Sequence, residues 1–472
     1  MDSGRDLVKA GCAVACSAPL FFLGTGFEPV AALTWVAPLP VLLLAPRVPA
    51  PLAAGGAFLA FLLGTANGWA FQLRSHDTPM LPVGLLIDVG MSLTFALAVL
   101  AFRLPAVRGR ALAAAVGAPA AWTGLLYVVS VSNPMGLMGT FANHQADVPL
   151  VLQTAAVTGM WGVEFLVLLA PSAVAALFAP GVTGAARLRT AVVVPVVFGV
   201  ALGGGALRLA GTGGGTTGRV AAVATNQEVW APDLATPAGR DLVAAYADHI
   251  AALPEGVRAV VLPEQSFRST EARPAVLHEP MSRLARERNM DVVVGFAHLD
   301  GDVKYNYAVV FRAEGGEPAT YLKHWDRVSP RGDTPVVTAA GAGVAICLDV
   351  NHSTPTREYA AAGTGLLLVP ASDEGDNGRQ HSRVALLRGV EHGQAVVWSA
   401  RTGVPLVADG HGRVVADART GGDGPFTTVV ADVPTGPGAT PYTRFGDWFA
   451  WLCLATALAV VVTARRRPLR NR

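Results

Sequence analysis

Gly343-Val344-Ala345-Ile346-Cys347-Leu348-Asp349 is an apolar run of strand type that ends in a lone cysteine and then an acidic residue. Glu264 and Lys323 lie upstream, each at the end of its own apolar run. Outward from these three residues the pattern alternates. Segments 219–225, 257–262, 291–296, 304–311, 319–323, 344–347, 366–369, 395–399, 404–407, 413–417 and 427–433 have strand length and apolar content. Segments 237–252, 275–288 and 379–392 read as helices, with a short helical stretch before Ala361. Thr236 before Pro237 suits an N-cap followed by a first-turn proline. Alternation over about 215 residues predicts an α/β domain whose sheets are covered by helices, large enough to fold around its own core.

The rest of the chain has another character. Of 472 residues only 15% are charged, against about 25% in an ordinary soluble protein. The mean hydropathy is +0.42. Stretches 8–24, 28–46, 52–72, 80–102, 111–131, 149–179 and 190–210, and then 446–464, approach the roughly 20 apolar residues a membrane helix needs. The first is not expected to be a cleaved signal, because further spans follow directly. The expected organisation is a multi-pass α-helical membrane domain over 1–210 with about seven helices, and a Gly/Thr linker at 211–218. An α/β domain over 219–440, a final membrane helix at 446–464 and a basic tail at 465–472 follow.

Arg and Lys set the expected orientation. Arg5 and Lys9, Arg47, Arg103, Arg108 and Arg110, Arg187 and Arg189, and Arg465, Arg466, Arg467, Arg470 and Arg472 mark every second loop as basic. Both termini are then cytoplasmic and the α/β domain extracytoplasmic. Net charge is only +2, which gives no reason to expect a nucleic-acid partner. Asp88 and Glu164 fall inside apolar runs, where an ionisable group is functional or else bonded between helices. Asn133, Asn143, His144 and Gln145 fall in or beside a loop, open to lipid head groups or to solvent.

Only three lysines occur, against 33 arginines, so a lysine at a strand end stands out. The four cysteines are Cys12, Cys16, Cys347 and Cys453, and Cys347 alone lies in the polar part. A free thiol is mostly protonated at neutral pH and needs a base, for which Glu264 is the candidate. Lys323 would hold a positive charge near the thiolate and near an oxyanion. Taken singly, each residue also has an ordinary reading: a small buried hydrophobe, a turn residue and a solvated lysine. The histidines are scattered and Cys347 has no ligand-spaced neighbour in sequence, so neither a metal nor a cofactor is expected.

Order and surroundings give the set its force. Val261-Leu262-Pro263-Glu264, Tyr321-Leu322-Lys323-His324 and Gly343-Val344-Ala345-Ile346-Cys347 resemble the three motifs of the carbon–nitrogen hydrolase (nitrilase) superfamily, whose triad is Glu, Lys, Cys in that chain order. The run from His381 to Gly393, then Trp398 to Gly403 and Asp409 to Val414, is similar to its C-terminal portion. Seven spans, a nitrilase-like insert and a last span resemble the apolipoprotein N-acyltransferase family. Gln153 to Leu166 resembles that family's sixth span.

The resemblance implies an αββα four-layer sandwich seated on the outer leaflet of a bacterial inner membrane. It also implies a two-step acyl transfer through a Cys347 thioester. The donor would be a phospholipid, and the acceptor the α-amino group of a diacylated lipoprotein. The family usually has Cys-Tyr-Glu where this chain has Cys347-Leu348-Asp349. It usually has a Glu eight residues after the Lys, where this chain has Arg331, with Asp333 two residues further on. Asp349 and Asp333 are therefore the candidate supporting acids. Ala400-Arg401-Thr402-Gly403 stands for the family's Ala-Asn-Thr-Gly. The alternatives are a membrane-tethered nitrilase-type amidase or acyltransferase with another acceptor, and a non-catalytic scaffold.

Overall fold

A computed structural model describes residues 3–76, 78–211, 215–227 and 230–465. Linker residues 212–214 and the basic tail from Arg466 onward lie outside the described residues. The chain divides into two units. One comprises residues 1–133, 139–208 and 445–472, and the other 134–138 and 209–444.

The first unit is helical. Among the described residues, six helices are long and apolar enough to cross a membrane: Gly4–Gly24, Ala50–Gln72, Met80–Ala106, Ala111–Ser132, Met160–Leu177 and Gly184–Ala210. Two expected spans differ from continuous helices. Segment 28–46 is broken into a 3-10 turn Ala31–Trp35, a helix Leu39–Leu44 and a second 3-10 turn, because Pro38 and Pro40 interrupt the helical hydrogen bonds. Segment 149–179 breaks at Gly159, whose φ of 67° ends the short helices before it, and the long helix starts at Met160. The last apolar stretch forms the helix Trp448–Arg465.

Helix Ala111–Ser132 packs against Leu85–Ala106, Met160–Leu177 and Trp448–Arg465. Its Gly117 and Gly124 allow this: a Cβ on Gly117 would lie 2.8 Å from the Ala101 carbonyl, and one on Gly124 2.9 Å from Leu454. Phe21, Phe61, Phe95, Trp122 and Phe141 form one ring cluster with neighbouring centroids 5.1–5.6 Å apart. The polar residues of this unit are tied inward. Glu164 accepts from Trp122 Nε1 (2.8 Å) and from the Ala142 amide (2.6 Å), and Gln72 Nε2 donates to Asp88 (3.2 Å). Asn143, His144 and Gln145 are buried rather than solvated. Gln145 donates to Thr34 Oγ1 and Ala31 O and accepts from Trp35 Nε1, so these side chains join segments of the bundle.

Among the described residues, the second unit holds two sheets. The strands are β1 Thr217–Thr225, β2 Val257–Val261, β3 Phe267–Ser269, β4 Asp291–Asp300, β5 Val303–Phe311, β6 Ala319–Leu322, β7 Gly343–Val344, β8 Leu366–Ala371, β9 Ala395–Ala400, β10 Leu406–Ala408, β11 Val414–Asp417 and β12 Phe426–Pro434. The first sheet runs β12-β1-β2-β4-β5-β6, with β3 added to β4, and the second runs β11-β10-β9-β8-β7. They face each other through β1 and β9, β2 and β8, and β4 and β8.

Helices Pro237–Ala251 and Ala275–Arg288 pack together on the first sheet. Leu242, Tyr246, Ile250, Leu277, Met281 and Leu284 meet Val260, Val292, Val294 and Phe296 there. Each such side chain contributes about 1.5–3 kcal/mol on burial. Helices Thr356–Ala361 and Gly378–His392 pair beside the second sheet, the longer one packing on β9. The result is the expected αββα sandwich. Thr236 Oγ1 accepts from the Gly239 amide, as the N-cap reading requires. β3 went unforeseen because three residues carry no periodic signal.

Candidate active site

Strands β2, β4 and β6 run in one direction, since β2 and β4 pair in parallel and β5 pairs antiparallel with both β4 and β6. Glu264 and Lys323 therefore leave the sheet at the same end. In the second sheet β7, β8 and β9 are parallel, which brings Cys347, Ser372 and Arg401 to a common end as well. The Ala371 carbonyl ties the two ends together by accepting from the amides of Glu264 (3.1 Å) and Arg401 (3.2 Å).

The expected strand 344–347 is shorter than its composition suggests. Only Gly343–Val344 is strand, and Cys347 opens a 3-10 turn, Cys347–Asn351, with φ +44°. A non-glycine residue in that region is strained, and such strain persists only where the surroundings fix it. Asp349 does the fixing. Its buried carboxylate accepts from the Ile346 amide (2.8 Å), the Trp325 amide (2.7 Å) and Tyr321 Oη (2.8 Å). One side chain thus joins the Cys347 turn to the segment that carries Lys323. Asp333 is placed elsewhere: it is exposed and accepts from its neighbour Thr334 Oγ1 (3.2 Å).

Lys323 Nζ donates to Glu264 Oε1 at 2.7 Å, with both side chains buried. Asn306 Nδ2, from β5, donates to the same oxygen (2.7 Å) and to Asp326 Oδ2 (3.1 Å). Burial pulls the Lys323 ammonium down, but Glu264, Cys347, Asp326 and Asp349 outweigh it, and Lys323 stays charged. The Cys347 thiol is held well above the usual range, chiefly by burial and then by the Glu264 charge, with Lys323 opposing. It donates to the Ser372 carbonyl (3.4 Å). The resting group is therefore a thiol beside a carboxylate and an ammonium, an arrangement able to serve as nucleophile, base and cation.

A second group adjoins the sulfur. His381 Nδ1 lies 3.9 Å from Cys347 Sγ and 2.8 Å from Asp373 Oδ1, and its Nε2 lies 3.1 Å from Asn351 Oδ1. Asn351 Nδ2 donates to the Met135 carbonyl, so its Oδ1 accepts, and Nε2 of His381 carries a proton. Sequence spacing gave Cys347 no ligand-type neighbours, yet the fold brings donor atoms of Cys347, Asp373 and His381 within 4.8 Å of one another. His381 opens the run that is similar to the family's C-terminal portion, where the sequence gives it no role, and Asp373 lies in a segment that departs from the family pattern. It passed over Asn306, although a polar residue amid the apolar run 304–311 was a visible signal. The Ser372 contact uses a backbone carbonyl, which no residue type announces.

Residues 219–437 match the carbon-nitrogen hydrolase family model, and the α/β unit is a domain of that class. Residues 17–173 match the model of the apolipoprotein N-acyltransferase N-terminal domain. The chain thus joins a carbon–nitrogen hydrolase domain to an apolipoprotein N-acyltransferase-type N-terminal domain, the resemblance its motifs carry. Among curated relatives, it is 37% identical over 171 residues to a glutamine-dependent NAD(+) synthetase of Xanthomonas campestris pv. campestris, covering 30% of this chain and 31% of that one. It is 27% identical over 281 residues to an apolipoprotein N-acyltransferase of Gloeobacter violaceus, covering 51% and 52%. These matches span from about a third to about half of the relatives' length. Among solved structures, Nit3 of Saccharomyces cerevisiae, a nitrilase-superfamily member, aligns with a TM-score of 0.39 and 21% identity, over 47% of this chain and 91% of its own.

Proposed function

We propose that the chain is a bacterial membrane acyltransferase. It moves an acyl chain from a phospholipid to the N-terminal amine of a diacylglyceryl-cysteine on a lipoprotein, through a thioester on Cys347. The observation that carries this reading is the buried Glu264–Lys323 pair beside the Cys347 thiol, in a chain that also matches the apolipoprotein N-acyltransferase N-terminal domain.

Glu264 takes the thiol proton as Sγ attacks the ester carbonyl. Lys323 faces the oxyanion, and the lyso-phospholipid oxygen leaves with the proton from Glu264. The amine then attacks the thioester, Glu264 accepts the ammonium proton, and the amide departs as Sγ regains it. Oε1 of Glu264 is taken by Lys323 and Asn306, which leaves Oε2 for the proton. In this reading the α/β domain faces outward, both termini are cytoplasmic, and the helical part holds the lipid substrates.

The test is expression in a strain lacking lipoprotein N-acylation, with lipoprotein N-termini read by mass spectrometry. A third acyl chain that vanishes with Cys347→Ala is expected. Unchanged diacyl termini from a well-expressed protein contradict the proposal. A second reading, amide hydrolysis with another acceptor, is favoured by one observation, the 37% identity to an enzyme named as glutamine-dependent. Ammonia release from glutamine by the purified chain, without acyl transfer, would select it.

A further inference from the structure

Arg401 occupies the position where the family pattern has asparagine, and no step above uses it. It follows β9, and its side chain is only 7% exposed. Its Cζ lies 3.1 Å from the centroid of the Trp230 ring, and Nη2 donates to Ser372 Oγ (3.0 Å). The carbonyl of the same Ser372 accepts from the Cys347 thiol. Ser372 therefore bridges the guanidinium and Cys347.

Among the described residues no carboxylate lies within ion-pair distance of Arg401. Burial pulls its pKa down to about 10, although Glu264, Tyr246, Cys347 and Asp373 pull the other way, so it is a cation at neutral pH. A guanidinium has five N–H donors, and one side-chain acceptor is engaged here. A buried guanidinium with no carboxylate in direct contact is poorly compensated, and an anion that joins it relieves the cost. A planar fork backed by an indole face suits two oxygens of a phosphate.

We propose that Arg401, shelved on Trp230 and held by Ser372, is the subsite for the phosphodiester of the acyl donor. This rests on the acyl-transfer reading for the identity of the ligand. A phospholipid's phosphate lies a glycerol's length from its ester carbonyls, so anchoring it beside Ser372 leaves an ester to reach Cys347. The same chemistry would also suit free phosphate, and the test separates the two sources.

The experiment measures binding to the purified full chain with lipids that cannot react. One probe is a short-chain dialkyl-ether glycerophospholipid, the second the matching dialkylglycerol without phosphate, and the third inorganic phosphate. Wild type should bind the phospholipid about tenfold or more tighter than the dialkylglycerol, a difference of ~1.4 kcal/mol. Arg401→Asn should bind both alike at the wild-type dialkylglycerol affinity, and Arg401→Lys should fall between. A phosphate preference that survives in Arg401→Asn overturns the proposal. So does equal loss of both lipids, which would mark a structural role, or tight inorganic phosphate binding without any preference for the phospholipid. No acyl transfer is involved, so these outcomes stand apart from failure of the acyl-transfer reading, which a missing Cys347 adduct would reveal.

Discussion

Cys347 is held as a thiol by burial and by Glu264, with Lys323 opposing, and this fixes the sign of three alkylation rates. At pH 8 iodoacetamide should label Cys347 more slowly than a free thiol, with the rate still rising at higher pH. Glu264→Gln should label faster than wild type, because a charge that raises the thiol's pKa is gone, even though the proposed base is gone with it. Lys323→Met should label slower. Peptide mass spectrometry after timed labelling reads all three, and a Glu264→Gln rate below wild type would contradict the electrostatics. Lys323→Arg keeps the charge but puts a planar fork where a compact ammonium meets Glu264. Turnover should drop by about 10²-fold or more, the size of losing one oxyanion donor. A fully active variant would remove Lys323 from the site. The three residues that the structure brings together, Glu264, Lys323 and Cys347, were visible as candidates at this scale because each closes an apolar run. Asp326 was not, because its importance lies in where Lys323 and Asn306 point, and Asn306 showed only as a polar residue amid an apolar run, with nothing to say what it would bond.

At the scale of elements, the site depends on two close backbone approaches. A Cβ on Gly295 in β4 would sit 2.1 Å from the Pro263 carbonyl, and one on Gly332 would sit 2.2 Å from the Leu322 carbonyl. Gly295→Ala must push the Glu264 turn outward, and a displacement near 1 Å costs on the order of 10²-fold in rate. Activity should fall while circular dichroism stays native, and an unaffected rate would show that the turn can yield without harm. Asp349 links the Cys347 turn to the Lys323 segment through three donors. In Asp349→Asn an amide group must face one of those donors, so thermal stability should fall by ~1–3 kcal/mol, together with activity. Calorimetry of the full chain tests this. Most strands and the long helices were readable from period and turn residues. The turn at Cys347 was not, since Val-Ala-Ile reads as strand until Asp349 draws the Ile346 amide away from the ladder.

At the scale of the molecule, composition and span lengths distinguished a helical part from an α/β part, and the structure has both. Hydropathy could not foresee the breaks at Pro38, Pro40 and Gly159, because it sums side chains and ignores backbone limits. Nor could it foresee that Asn143, His144 and Gln145 would be buried among helices. The basic loops predict an outward α/β domain. A tag inserted in 211–218 should be reachable from outside intact cells, and labelling only after permeabilisation would reverse the topology.

The central claim is that Cys347 carries the acyl group between two lipid substrates, and intact-protein mass spectrometry after incubation with a defined phospholipid tests it most directly. The expected result is a mass gain of one acyl chain that is labile to hydroxylamine, absent in Cys347→Ala, and discharged by a diacylated lipopeptide with a free N-terminus. A gain that persists in Cys347→Ala, or no gain from a protein whose thiol alkylates normally, would contradict it.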